Sequence, residues 1–160
     1  MIVVSNTSPL NYLVLINEID LLLKLFGRII IPEAVLDELR HRGSPEAVRK
    51  WADVVAPWLD VRTISPIQLP RILGPGETAS LSLAVELNAD LVLLDDRKAR
   101  KAALDQGLKV AGLLNVLETA SVRELIDLPD AIARLRRTNF RAPAAIVRAM
   151  LERHVQRSKS

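Results

Sequence analysis

The chain is expected to fold as an α/β domain of three layers, a central parallel sheet covered by helices on both faces. Three observations lead there. Residues 2–5, 28–31 and 91–94 are short runs with almost no polar break, the pattern of strands buried on both faces. Segments of helical periodicity separate these runs, and a strand–helix–strand order requires crossovers and hence parallel pairing. Acidic or amide residues recur where strands hand over to helices, the end of a parallel sheet at which crevices form.

The elements follow in order. Residues 2–5 form a buried strand ended by Asn6-Thr7-Ser8-Pro9, in which Ser8 suits a helix N-cap and Pro9 a first helical position. Residues 18–26 carry leucines around much of a helix and stop at Gly27, a glycine end. A second strand occupies 28–31. Pro32 opens a helix through 42, and Ser44-Pro45 starts another with Val48, Trp51, Ala52 and Val55 on one side. Residues 60–64 make a weaker strand. The Pro- and Gly-rich stretch 67–75 reads as a loop into a helix over 77–87. A central strand over 91–94, a helix over 97–106 ended by Gly107 and a short strand over 109–111 complete the sheet.

Beyond Leu113 the pattern is helical: to about residue 124, over 130–137, and from 143 to about 155. In the last helix Ile146, Val147, Met150, Leu151 and His154 form an apolar stripe, expected to dock in cis in preference to a homodimer seam. No repeat or linker divides the chain. Residues 1–127 should form the α/β body, and 128–160 a basic helical extension packed on it.

Composition narrows the chemistry. At 160 residues and 49% hydrophobic content the chain can fill one domain core. No apolar run approaches the roughly 18 residues that span a bilayer, and IVVS is too short for a secretory signal, so a soluble cytoplasmic protein is expected. Cysteine is absent, which excludes disulfides, thiolate catalysis and Cys-based zinc sites. Two histidines, His41 and His154, are too few for a His-based metal cluster. The net charge of +3 is unevenly distributed: from Arg134 onward eight basic residues face one acid, Glu152. Such a tail suits a polyanion, an acidic partner, the protein's own acidic cleft, or a solvated helix surface.

Five positions stand out, each with a structural alternative. Glu38 shares a helix face with Val35 and Leu39, which should point to the sheet, whereas Asp37 lies about 100° away toward solvent. Glu38 could instead reach water or pair with Arg42. Glu77 occupies a first helical turn, where the macrodipole alone favours an acid by roughly 0.3–1 kcal/mol. It also follows Gly74 and Gly76, which let backbone approach a ligand. Asp95 and Asp96 follow the most strand-like run; one of them caps the next helix, and two exceed what capping needs. Asp90 begins that strand and belongs to the opposite end of the sheet. Asn6 could be a turn residue accepting local backbone bonds. Hard oxygen donors without His or Cys suit Mg²⁺ or Mn²⁺, and such an ion can polarise a phosphoryl group and acidify a water, which points to phosphodiester hydrolysis.

The segments IVVSNTSPL, VLDEL, GPGETAS and LVLLDDRKAR together resemble the PIN-domain family, which includes VapC-type toxins of toxin–antitoxin pairs. The SNTSPL opening and DDRKAR element are similar to a PIN-like branch of nucleic-acid-binding proteins. The resemblance covers roughly residues 1–117. It implies a PIN-like parallel α/β fold and an acidic cluster holding Mg²⁺ or Mn²⁺ for cleavage of single-stranded RNA. It further implies a toxin's partner, a cognate antitoxin protein. On the matching positions, Asn6 takes the place of the first acid, Glu38 that of the helix acid, Glu77 that of the acid after the glycine loop and Asp96 that of the acid after the strand. Asp95 is an added neighbour, and Ser8 a hydroxyl that could orient a ligand or water.

Arg97, Lys98 and Arg100 lie close enough in sequence to contact phosphates, or to form a solvated helix face. Asn6 departs from the pattern: an amide oxygen can ligate a hard cation but adds no charge. The alternative to a ribonuclease is therefore a silenced PIN-like module that binds RNA or a protein without cutting. A phosphohydrolase using a nucleophilic Asp with a second Asp two residues on does not fit the adjacent Asp95 and Asp96. With two Phe, two Trp and one Tyr, RNA binding should be directed mainly at phosphates.

Overall fold

The computed structural model describes residues 1–65 and 67–159; Ser160, the end of the expected extension, lies outside them. Among the described residues β1 (Val3–Ser5), β2 (Ile29–Pro32), β3 (Leu59–Arg62), β4 (Leu91–Leu93) and β5 (Val110–Ala111) form one sheet. Its order is β3-β2-β1-β4-β5, with every pairing parallel. Chain order thus runs outward from β1 through β2 to β3, then resumes on the other side with β4 and β5. The reversal between β1 and β4 is a topological switch point, where connections leave toward opposite faces and open a crevice.

The sheet is the middle of three layers because its residues alternate between two cores. Val3, Ile29, Ile31 and Leu93 belong to one cluster, Val4, Ile30, Val92 and Leu94 to the other. Period-two side-chain alternation turns consecutive apolar residues into two apolar faces. The second cluster is covered by α5 (Pro75–Leu87) and α6 (Arg97–Asp105). The first is covered by α1 (Thr7–Leu15), α2 (Leu21–Phe26), α3 (Glu33–Arg40), α4 (Glu46–Asp53), α7 (Leu113–Val122), α8 (Leu128–Arg136) and α9 (Ala144–Ser158). The three-layer α/β class expected from the sequence is the fold found.

Several boundaries differ, each for a local reason. The first helix is capped by Asn6 and not Ser8, since the backbone is extended at Asn6 and already helical at Thr7. Pro32 is both the last residue of β2 and the N-cap of α3, which runs over Glu33–Arg40 and stops short of the expected end at 42. The β3 strand lies at Leu59–Arg62, in register with β2, starting one residue and ending two residues earlier than expected. The α5 helix starts at Pro75, where proline supplies helical φ and forfeits only an unused donor. The α2 helix is shorter than expected and ends at Gly27 with φ +75°, which favours glycine. The start of α8 moves up to Leu128 because the Asp127 side chain caps it, accepting the Asp130 N–H at 3.3 Å. Val55, placed on an apolar helix face by periodicity, lies beyond α4 and is exposed.

The C-terminal stripe packs in cis. Val147 and Met150 are buried in the same core as Leu128, Ile132 and Leu135 of α8, while Ile146 remains half exposed. Ion pairs fasten the outside of this contact: Arg153 donates to both oxygens of Glu118 at 2.7 and 2.8 Å, and Arg157 approaches the same carboxylate. No helix among the described residues is long and apolar enough to cross a membrane.

Candidate functional site

Asn6 follows the central strand directly, and its N–H completes the sheet by donating to Leu93 O at 3.0 Å. That bond sets the side chain at the switch point between β1 and β4. Asn6 stands at a helix N-cap, yet its side chain makes no capping hydrogen bond. It is 6% exposed, and its Oδ1 is buried without a partner among the described residues. A buried amide oxygen left unsatisfied costs roughly 1–3 kcal/mol, so a fold that retains one implies a use for it. The reading of Asn6 as a locally bonded turn residue fails on this observation.

Glu38 comes from α3, in the register that periodicity assigned: Val35 and Leu39 are buried and Asp37 is exposed. Its carboxylate does not pair with Arg42 among the described residues. It accepts the Thr7 hydroxyl in a short hydrogen bond, one residue from Asn6. The same carboxylate occupies the space that a side chain at Gly76 would need: a Cβ there would lie 2.6 Å from Cδ and 2.7 Å from Oε1. Gly76 is therefore small because Glu38 lies against it. Glu77, the next residue, accepts the Gly74 N–H at 3.0 Å and so closes the first turn of α5. Burial raises its pKa above the usual carboxylate range; the Gly74 bond opposes this, and the charges of Asp96 and Glu38 add to it.

The two aspartates divide their work. Asp96 caps α6 by accepting the Ala99 N–H at 3.0 Å and is exposed. Asp95 accepts the Leu113 N–H at 2.9 Å, and its second oxygen is buried without a partner among the described residues. Burial raises the Asp95 pKa, an effect that the Leu113 bond and the Arg100 charge reduce. Gly112 leaves the room: a Cβ on it would stand 2.7 Å from Asp95 Oδ1 and 3.0 Å from Arg100 Nη1.

These residues line one cleft composed of two adjoining cavities. The first, of about 750 Å³, is bordered by Asn6, Ser8, Asp37, Glu38, His41 and Glu77. The second, of about 630 Å³, shares Asn6, Ser8, Tyr12 and Glu77 and adds Asp95, Asp96, Arg97 and Arg100. Every candidate site residue named from the sequence borders the cleft except Lys98, which is exposed outside both cavities. Gly76, read from the sequence as letting backbone approach a ligand, instead makes room for Glu38, and the structure adds residues that sequence reasoning missed: Thr7 against Glu38, and Asn139, Phe140 and Arg141, which form a wall of the second cavity.

The donors suit a hard divalent cation in kind. They are carboxylate and amide oxygens, two of them (Asn6 Oδ1 and one Asp95 oxygen) buried without a partner among the described residues, and Glu77 feels the repulsion of Asp96 and Glu38 that a cation would relieve. No three His, Cys, Asp or Glu among the described residues stand together as a metal-binding group. A divalent cation here would therefore be held partly through its own waters, with some of these carboxylates reaching it only across a water.

A parallel α/β domain with a carboxylate-lined cleft at its switch point is the class of protein that fold and site define. The sequence profile of DUF3368, a PIN domain, matches residues 2–156, and the chain belongs to the PIN-domain family. The match runs beyond the resemblance over residues 1–117 and takes in α8 and most of α9. A PilT N-terminus domain protein of the hyperthermophilic archaeon Sulfolobus solfataricus P2 has a similar structure, with a TM-score of 0.56 and 18% identity. The alignment covers 75% of this chain and 93% of that one, and at this identity the likeness concerns the fold. No curated protein matches the chain. PIN domains are generally nucleases and typically use divalent metals.

Proposed function

We propose that the chain is a metal-dependent endoribonuclease that hydrolyses phosphodiester bonds of single-stranded RNA. Glu38, Glu77 and Asp96 would hold Mg²⁺ or Mn²⁺, with Asn6 as a neutral oxygen ligand beside them. The observation that carries this reading is the buried, unpartnered Oδ1 of Asn6 at the switch point, within a cleft lined by carboxylates from α3, from α5 and from the junction between β4 and α6. When bound, the cation supplies Lewis acidity toward a phosphoryl oxygen and lowers the pKa of a water.

The chain's own part is positioning. Thr7 fixes one Glu38 oxygen, the Gly74 N–H fixes one Glu77 oxygen, and the Ala99 N–H fixes one Asp96 oxygen, leaving the second oxygen of each carboxylate for the cleft. Such outer contacts set ligand direction in advance. Ser8 borders both cavities and offers a hydroxyl to a substrate oxygen or water. Within the same reading the protein is the toxin of a toxin–antitoxin pair. Its antitoxin would cover the cleft and present a basic side chain to the carboxylates.

A second reading, a silenced PIN domain that binds without cutting, is favoured by the missing charge at Asn6. One assay separates the two: purified protein, Asn6→Asp and Asp96→Asn with a mixed single-stranded RNA pool in Mn²⁺, Mg²⁺ or EDTA. The nuclease reading expects metal-dependent cleavage that rises in Asn6→Asp and disappears in Asp96→Asn. Cleavage by Asn6→Asp alone would establish the silenced domain, and inactivity of both would remove the nuclease reading.

A further inference from the structure

The eight basic residues from Arg134 onward are not equivalent. Arg153 and Arg157 are tied to Glu118, and Arg134 to Glu18 and Asp130, so these three fasten helices. Arg136 and Arg148 border a separate depression on α8 and α9. Arg141 is different: it lies in the loop between α8 and α9 and borders the same cavity as Asp95, Asp96, Arg97 and Arg100. Neither Arg97 nor Arg141 makes an ion pair among the described residues.

The loop is held in place from the other end of the chain. Tyr12 of α1 donates its hydroxyl to Asn139 Oδ1 at 2.7 Å, and its ring meets Phe140 edge-on with centroids 5.0 Å apart. The Thr138 hydroxyl donates to Leu135 O and accepts the Phe140 N–H, closing the end of α8. Tyr12 sits on the helix that Asn6 begins, so the latch sets Arg141 at a fixed place relative to the carboxylates. Arginines border only one of the two cavities. The first is bordered by Asp37, Glu38 and Glu77 with no Lys or Arg, whereas the second sets Arg97, Arg100 and Arg141 beside Glu77, Asp95 and Asp96.

We infer that Arg97, Arg100 and Arg141 form a phosphate subsite, which takes a backbone phosphate of single-stranded RNA next to the one presented to the carboxylates. This rests on the reading of the cleft as one that faces a phosphodiester backbone. The chemistry is that of guanidinium groups: planar donors that stay charged and bind phosphate oxygens in pairs. Arg141 is the member whose role is new to the site, and it converts part of the basic tail into substrate-binding surface.

The test is binding of a short, labelled single-stranded oligoribonucleotide, followed by fluorescence anisotropy in EDTA, where metal-dependent hydrolysis does not run, at several monovalent salt concentrations. Arg141→Ala should weaken binding about tenfold, the loss of one charge-assisted contact. It should also flatten the log–log salt dependence by roughly 0.7, one phosphate contact on a single strand. Arg148→Ala, equal in charge and outside the cleft, should bind like the parent. Equal losses in both variants, or no binding by the parent, would overturn the subsite. Cleavage measured on the same proteins keeps the two ideas apart. Arg141-dependent binding without metal-dependent cleavage would sink the nuclease reading alone, and cleavage with Arg141-independent binding would sink the subsite alone.

Discussion

Asn6 occupies a position where its side chain could have capped a helix and does not, and the cost of leaving Oδ1 unsatisfied is what makes the residue informative. Thr7 beside it spends its hydroxyl on Glu38. Replacing it with Val keeps the shape and removes the donor, so metal-dependent cleavage should fall roughly 10–100-fold while the thermal midpoint moves little, as measured by initial rates and calorimetry. Asp95 and Glu77 make a prediction of definite sign. Burial raises both pKa values, so ionising these carboxyls costs the native state more than the unfolded chain. Their effect on stability therefore declines as pH rises from the ordinary carboxylate range through the raised values. Asp95→Asn keeps an oxygen for the Leu113 N–H, and in EDTA it should be more stable than the parent at pH 7. The gap should close as pH falls toward about 4, and a gap independent of pH would contradict this account. At this scale the sequence was legible where periodicity or capping applied, as for Glu38 and the Asp95–Asp96 pair. It did not reveal the role of Thr7 or what Gly76 makes room for, because both act through contacts made across more than thirty residues of chain.

Helices and strands were legible in kind, less so at their ends. Apolar runs identified the strands that were buried on both faces, and glycines marked the ends of α2 and α6. The misplaced starts of α1 and α8 share one cause: asparagine and aspartate compete with serine and proline for the first position, and sequence alone does not say which backbone turns extended. The docking of α9 offers a comparison of forces. Met150 is 1% exposed in the shared core, and Met150→Ala should cost about 2–5 kcal/mol in urea unfolding. Arg153 is half exposed despite its two bonds to Glu118, so Arg153→Ala should shift the urea midpoint far less than Met150→Ala does. The Arg153 bond lowers the Glu118 pKa, so this smaller contribution is present above the ordinary glutamate range and is lost as pH falls through the lowered value. If the arginine variant proved the more damaging, the stripe would not be what holds the helix.

For the whole molecule, the order β3-β2-β1-β4-β5 explains why distant motifs meet. A sheet that grows outward from its central strand places the residues after β1 and β4 side by side. Motif spacing could suggest this meeting, but it carried no sign of the third contributor. The loop bearing Asn139, Phe140 and Arg141 has no periodicity and touches the cleft through a hydroxyl and a ring edge. The Tyr12–Asn139 latch has a consequence in time. Tyr12 leaves the ribosome early and its partner late, so a growing chain holds the carboxylates with Arg97 and Arg100 well before Arg141. The groove would therefore be completed only in a late step of synthesis, when the last two helices settle.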